Sequence, residues 1–129
     1  MRSSLHATRL LLLLGALSSC GGDPVVSAQS DFTFEATVDP NPAIVGRNTM
    51  VFTVKDKNGN PVAGATLAVD PEMPQHGHGS PEVPVLTEVG NGQYRAFPIA
   101  LVMVGRWEIN VTASQGTLRG KQMIPVDVP

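Results

Sequence analysis

The sequence predicts an all-β protein, an immunoglobulin-like β-sandwich of about seven antiparallel strands. Apolar and polar residues alternate with period two in several runs, as in residues 32–38, which indicates strands with one buried face. The pairs Asn58-Gly59 and Asn91-Gly92 are hairpin signals, because both residue types tolerate the positive φ of tight turns. No stretch after residue 20 keeps a helical apolar spacing over three turns. An open barrel is the alternative fold.

The first nineteen residues have the layout of an export signal. Arg2 and Arg9 precede an apolar run at residues 10–17, which is far shorter than the ~20 residues that cross a bilayer. The run ends in Leu17-Ser18-Ser19-Cys20, which resembles the lipobox of bacterial lipoproteins. That resemblance implies a lipoprotein signal peptide at residues 1–19, removed so that Cys20 becomes the lipidated N-terminus. The alternative is an ordinary cleaved signal that leaves a free thiol.

Residues 20–30 are expected to form a flexible tether, because after Cys20 they are mainly small, polar or helix-breaking. Gly21 is not an aspartate, so the lipoprotein resemblance gives no inner-membrane retention signal in a Gram-negative host. The sequence therefore predicts a lipid anchor in the cell envelope, on the outer membrane if the host is Gram-negative. The domain would face the periplasm or the exterior.

Length and charge indicate one domain at residues 31–129 and exclude a class of partner. About a hundred residues suit a single hydrophobic core. Removal of residues 1–19 takes away Arg2 and Arg9, so seven basic residues face eleven acidic ones and the net charge is near −4. This balance argues against a nucleic-acid partner, because phosphate binding needs clustered Lys and Arg.

The predicted strands follow one another between Gly- and Pro-containing turns, and the chain has 13 Gly and 11 Pro. Residues 55–65 also resemble a turn found in many bacterial immunoglobulin-like modules. Trp107 is expected to pack between the two sheets. The predicted inward positions are Phe32, Phe34, Ala36, Val38, Met50, Phe52, Val54, Ala65, Leu67, Val69, Tyr94, Ala96, Trp107, Ile109, Val111, Leu118, Gln122, Ile124 and Val126.

The segment with the most chemical information is residues 71–79, Pro-Glu-Met-Pro-Gln-His-Gly-His-Gly. It holds His76 and His78, the two histidines outside the predicted signal. Gly77 lets the backbone turn so that both imidazoles can point at one ion, and Met73 adds a thioether. Imidazole suits Cu(II), Zn and Ni, whereas thioether favours Cu(I). A solvated turn without a ligand is the alternative interpretation.

Three short motifs together resemble the YtkA-like family, which is related to the FixH-like proteins. They are Met73-Pro74-x-His76-Gly77-His78-Gly79, Gly92-x-Tyr94 and Met103-x-Gly105-x-Trp107, and the resemblance covers roughly residues 32–126. It implies a small exported or membrane-tethered β-sandwich in settings of copper handling or oxidase assembly. By this resemblance, Met73, His76, His78 and Met103 fall on the Met/His positions of the family. The segment before the G-x-W departs from the family, because Met103 is its only methionine.

The leading prediction is a membrane-tethered envelope domain that binds copper through Met73, His76, His78 and Met103, or delivers it to an envelope protein or cuproprotein partner. The rival is a metal-free interaction module of the cell envelope. Met103 lies in an apolar run, and a core-filling role is the alternative for it. An enzyme ranks third, since the chain has no Gly-x-Ser-x-Gly elbow, phosphate loop or dinucleotide fingerprint.

Overall fold

The computed structural model describes residues 29–129. The predicted signal at residues 1–19, the lipidation site Cys20 and the tether up to residue 28 lie outside the described residues. Residues 29–129 contain both complete sheets and the whole core described below. Within this range, no helix is long and apolar enough to cross a membrane.

The described chain forms eight strands and one short 3-10 turn. About seven strands were expected, and the additional one is the two-residue β4, which is too short to leave an alternation in the sequence. The elements are β1 (Thr33–Asp39), β2 (Gly46–Lys55), β3 (Thr66–Met73), a 3-10 turn (Pro74–His76), β4 (His78–Gly79), β5 (Val85–Gly90), β6 (Gln93–Leu101), β7 (Gly105–Gln115) and β8 (Leu118–Val128).

Two four-stranded antiparallel sheets make up the sandwich. One sheet has the order β1-β2-β6-β5 and the other has the order β4-β3-β7-β8. These orders match the two sheets of an immunoglobulin-type sandwich, with β4 as an added edge strand. The predicted turn at Asn91-Gly92 is confirmed, because both residues have positive φ (54° and 71°) between β5 and β6. The all-β, immunoglobulin-like prediction is therefore correct.

The core lies between the sheets and is centred on Trp107, which is fully buried together with Phe52 and Ile109. Most predicted inward positions are buried or partly buried, because strand alternation places them on the face that meets the other sheet. Leu118 and Gln122 are exceptions, since both are exposed. They lie in the first half of β8, an edge strand that is paired on one side only by β7.

The two ends of the sandwich differ in what they carry. Residue Asp31, where the described chain enters β1, hydrogen-bonds through its amide to the Arg119 carbonyl and forms an ion pair with Lys57 at 3.1 Å. We call this the N-terminal end. The other end, called the site end, carries the end of β3, the 3-10 turn and the β6–β7 loop. Because β7 runs eleven residues from one end to the other, the two ends are about 35 Å apart.

Candidate metal site at the site end

The predicted His-containing loop folds as a tight hairpin between β3 and β4. Pro74 opens the 3-10 turn, and Gly77 closes it in the left-handed conformation at φ 66°, donating its amide to the Pro74 carbonyl at 3.1 Å. Glycine reaches this conformation without steric cost. The hairpin pairs His78 with Met73. Since paired residues of antiparallel strands project on the same side of the sheet, the His78 ring follows Met73 toward the inner face.

The imidazole of His78 meets the thioether of Met103 at the surface. Its Nε2 atom lies 3.2 Å from Sδ of Met103, although the two residues are 25 positions apart. Met103 belongs to the β6–β7 loop and is partly buried against the core. The fold therefore brings together one histidine of the 71–79 segment and the methionine of the Met103-x-Gly105-x-Trp107 motif, as the copper-site prediction requires.

The tautomer of the His78 ring determines which group faces the sulfur. Nδ1 lies 3.2 Å from the carbonyl oxygen of Gly79. A carbonyl oxygen only accepts, so this contact is a hydrogen bond in the tautomer that carries its proton on Nδ1. In that tautomer Nε2 presents a lone pair beside the Met103 sulfur, whereas in the other tautomer Nε2 donates to the sulfur. Metal-binding histidines show the first arrangement, with the second ring nitrogen donating to a carbonyl or carboxylate.

The separation of these two atoms fits a shared metal ion. For zinc, bonds to imidazole nitrogen are about 2.0–2.1 Å and bonds to sulfur about 2.3 Å. One ion can therefore contact two donors that lie 3.2 Å apart, as Nε2 of His78 and Sδ of Met103 do.

His76 lies beside His78 on the surface of the site end. The centroids of the two rings are 6.1 Å apart with a tilt of 36° between their planes, and both residues are exposed. This places a second imidazole next to the His78–Met103 pair. Of the four predicted ligands, the structure therefore groups His76, His78 and Met103 at the surface.

Met73 lies beneath this group and is fully buried. Its methyl carbon faces Gly105, where an added Cβ would come within 2.9 Å of it. Gly105 has φ +122° and so also occupies a backbone region that side chains rarely adopt. The glycine of the G-x-W motif therefore provides the space that the buried methionine fills.

Trp107 contacts both partners of the surface pair. Its indole Nε1 donates a hydrogen bond to the Met103 carbonyl oxygen at 3.0 Å. The His78 ring meets Trp107 in a T-shaped contact, with centroids 5.7 Å apart and an interplanar angle of 68°. The predicted core role of Trp107 is confirmed, and sequence reasoning missed its contacts to the site. The four-residue spacing from Met103 to Trp107 is the one sequence signal for them.

Carboxylates take no part in a multidentate cluster here. Among residues 29–129, no three His, Cys, Asp or Glu side chains come together in a group that could hold an ion. The carboxylate of Glu72, in the same hairpin, accepts a hydrogen bond from Asn110 Nδ2 at 3.2 Å. In this part of the molecule, the donor that adds to the two imidazoles is therefore a thioether sulfur and not a carboxylate.

Half-exposed apolar residues lie in two neighbouring loops at the site end. We define the apolar ring as Ile44, Val45, Val102 and Val104, each about half exposed. Pairing of Gly46 with Leu101 brings the β1–β2 loop next to the β6–β7 loop. Sequence reasoning did not identify this ring, because the 44–45 and 102–104 segments meet only in the folded chain.

Buried Asn48 holds the β1–β2 part of the apolar ring in place. Its amide nitrogen donates to the carbonyl oxygens of Ile44 and Gly46 at 2.9 and 3.1 Å, and its Oδ1 accepts from the Ile44 amide at 2.9 Å. These bonds satisfy the only buried polar residue within the described range. The loop is thus fixed by a side chain that the core excludes from solvent.

Charges near the apolar ring are neutralised in pairs. The guanidinium of Arg47 donates through Nε to the Glu82 carboxylate at 2.9 Å and also through a second nitrogen. This hydrogen bond, and the charge of Arg47, hold the pKa of the Glu82 carboxyl below its usual range. Arg106 pairs with Asp127 at 3.2 Å. The site end therefore presents imidazole, thioether and apolar groups beside two ion pairs, in each of which the opposite charges cancel.

Comparisons with known proteins give a family and a fold. A protein-family model described as YtkA-like matches residues 26–112. No curated protein sequence matches the chain. Among solved structures, that of the Yersinia pseudotuberculosis adhesin InvE is similar, with a TM-score of 0.55 and 20% sequence identity over 77% of this chain. This chain corresponds to 28% of the adhesin chain, so the likeness concerns the fold of one region.

Proposed function

The chain belongs to the YtkA-like family, and on this premise we propose that it is a membrane-tethered domain outside the cytoplasm that binds copper for its handling or delivery. The proposed donors are Nε2 of His78, Sδ of Met103 and the imidazole of His76. Met73, buried below them, is proposed as the innermost donor. The proposed activity is binding and passing on a metal, without a catalytic step.

A single observation supports this proposal most strongly: Nε2 of His78 and Sδ of Met103 lie 3.2 Å apart. Thioether ligands favour Cu(I), and imidazoles suit Cu(II). A mixed set of thioether and imidazole donors therefore suits copper in both oxidation states. Hard cations such as Mg²⁺ and Ca²⁺ prefer oxygen ligands, which are not the donors that converge here.

The proposed location follows from the start of the chain. Residues 1–20 have the layout of a lipoprotein signal, so we propose export, cleavage before Cys20 and lipidation of that cysteine. More than one acyl chain gives stable membrane attachment, because each buried methylene adds about 0.8 kcal/mol. Such a tether would keep the domain at the membrane surface, where it could meet an envelope protein or a cuproprotein.

The histidine pair provides the main test. We expect His76→Ala combined with His78→Ala, in residues 21–129, to lower copper affinity at least a hundredfold, measured by competition with chelators under reducing and oxidising conditions. Gln75→Ala in the same turn is the matched control, because Gln75 is exposed and lies next to His76. Equal copper affinity for wild type and the double variant would overturn the proposal.

Met73 is tested separately. Met73→Leu conserves volume and should cost under about 1.5 kcal/mol of unfolding free energy. If Met73 is a donor, the same change lowers Cu(I) affinity, whereas Met50→Leu, also fully buried, leaves it unchanged. Equal effects of the two substitutions would remove Met73 from the donor set and leave the other three donors in place.

The apolar ring favours a second candidate function, a metal-free interaction module. Half-exposed valines and an isoleucine next to paired charges are typical of protein contact surfaces. Under this alternative, Val102→Ser with Val104→Ser would weaken partner binding while the histidine variants retain it. Loss of copper affinity in the histidine variants supports the first function. Retained copper affinity, with partner binding lost in the valine variants, supports the second.

A further inference from the structure

We infer that Trp107 is a positioning residue that strengthens Cu(I) binding more than Cu(II) binding, an inference that rests on the proposed function. The indole nitrogen of Trp107 donates to the Met103 carbonyl, and the indole ring packs against the His78 imidazole. One side chain thus contacts both the thioether-bearing residue and the imidazole that faces it. Trp107 is fully buried, so its effect on the site passes through Met103 and His78.

The hydrogen bond from Trp107 to Met103 links the short β6–β7 loop to the core. The β6–β7 loop comprises only residues 102–104, and Val102 and Val104 are about half exposed. The indole donor reaches the carbonyl of the middle residue from the core. Because the backbone of Met103 is held there, the position of its sulfur over His78 is set from inside the protein.

The packing of the His78 ring supplies the second restraint. Backbone pairing with Met73 places His78 on the hairpin, and the T-shaped contact with Trp107 restricts how the ring lies. An edge-to-face arrangement of this kind is a favoured geometry for two aromatic rings. With both restraints present, Nε2 and Sδ are preorganised at 3.2 Å before any ion binds.

This arrangement predicts a selectivity, because the two oxidation states use the donors differently. Cu(I) depends on the thioether, which Trp107 holds through the Met103 backbone. Cu(II) depends more on the imidazoles, of which His76 has no contact to Trp107 among the aromatic pairs of the described residues. Loosening Met103 should therefore weaken Cu(I) binding more than Cu(II) binding.

The test is a double-mutant cycle in residues 21–129. Trp107→Phe keeps an aromatic ring and removes the indole donor, and Met103→Leu removes the thioether. Outer-shell changes usually cost 10–100-fold in metal affinity, so we expect Trp107→Phe to lower Cu(I) affinity about tenfold and Cu(II) affinity less than threefold. In the Met103→Leu background, Trp107→Phe should have no further effect on Cu(I).

Two results would overturn the inference while leaving copper binding intact: an equal loss for both oxidation states, or additive losses in the double variant. If the wild-type domain binds no copper, the proposed function itself fails.

A metal-free readout covers the case in which Trp107→Phe does not fold. In the wild-type domain, NMR should show contact between the Met103 methyl and the His78 ring and slow exchange of the Trp107 indole proton. Their absence also overturns the inference.

Discussion

His78 on β4 and Met103 in the β6–β7 loop converge: Nε2 of the histidine is 3.2 Å from Sδ of the methionine. The Gly79 carbonyl oxygen lies 3.2 Å from the other ring nitrogen. A nitrogen and a sulfur that can both bind a metal therefore lie side by side at the end of the sandwich. The copper account depends on this pair.

Met103→Leu tests the sulfur directly. The substitution keeps an apolar side chain of similar volume and removes the thioether, so Cu(I) affinity should fall at least tenfold. Competition with a Cu(I) chelator measures it. Met123→Leu is the matched control, since Met123 is an exposed methionine on β8 with no part in the site. If both variants lose Cu(I) affinity to the same extent, the Met103 assignment is wrong.

Gly105→Ala tests how the G-x-W glycine accommodates Met73. An added Cβ at φ +122° brings backbone strain of about 1–3 kcal/mol, and it would approach the Met73 methyl to 2.9 Å, so this methyl also has to move. Gly46→Ala is the control, because it has a similar φ of +116° and open space around the new Cβ. Chemical denaturation should show a larger loss of unfolding free energy for Gly105→Ala. Equal losses would mean that the Met73 contact is unimportant.

Tyr94→Phe separates stability from metal binding. The Tyr94 hydroxyl donates to the Val62 carbonyl at 2.7 Å and accepts from the Ala65 amide at 3.0 Å. Removing it leaves a buried acceptor without its partner, which costs about 1–3 kcal/mol. Because these groups lie near the N-terminal end, thermal unfolding should shift while copper affinity stays within twofold. A parallel loss of copper affinity would show that the site responds to general destabilisation.

The Asp56 turn predicts an acid-dependent loss of stability. Backbone hydrogen bonds from Asn60 and Asn58, at 2.9 and 2.8 Å, hold the pKa of the Asp56 carboxyl below its usual 3.8. A depressed folded-state pKa stabilises the protein above the unfolded pKa, and the contribution is lost as the pH falls through the folded value. Asp56→Asn removes this titration.

Urea denaturation at a series of pH values checks the Asp56 prediction. The difference in unfolding free energy between wild type and Asp56→Asn should be constant above about pH 5 and should shrink as the pH falls below 3.8. A difference that is unchanged down to pH 2 would contradict the role of this carboxylate. Asp31 and Glu82, whose carboxyl pKa values are also lowered, are present in both proteins, so their contributions cancel in the comparison.

Much of the sandwich could be predicted because its strands and turns are determined by local sequence patterns. Alternation placed Phe52, Ile109 and Trp107 in the core, and the Asn91-Gly92 turn has the positive φ angles that its sequence requires. Local patterns failed where burial depends on neighbours. Leu118 continues the alternation of β8 but is exposed on an edge strand, and the two-residue β4 exists only because the hairpin folds back on β3.

The site was predictable in its residue types but not in its contacts. Chemistry and spacing singled out His76 and His78, since paired imidazoles around a glycine suit one ion. The 3.2 Å approach of Met103 to His78 results from tertiary packing across 25 residues, which no short pattern encodes. The same is true of the Trp107 contacts and of the apolar ring, which joins segments from two separate loops.

The most direct measurement is a Cu(I) titration of residues 21–129 followed by NMR of the methionine methyl groups and the histidine rings. The account predicts saturable binding of one ion, tighter than micromolar, in which the Met103 methyl and the His78 ring shift together while the Met123 methyl does not. No saturable binding, or binding that leaves both Met103 and His78 unshifted, would contradict it.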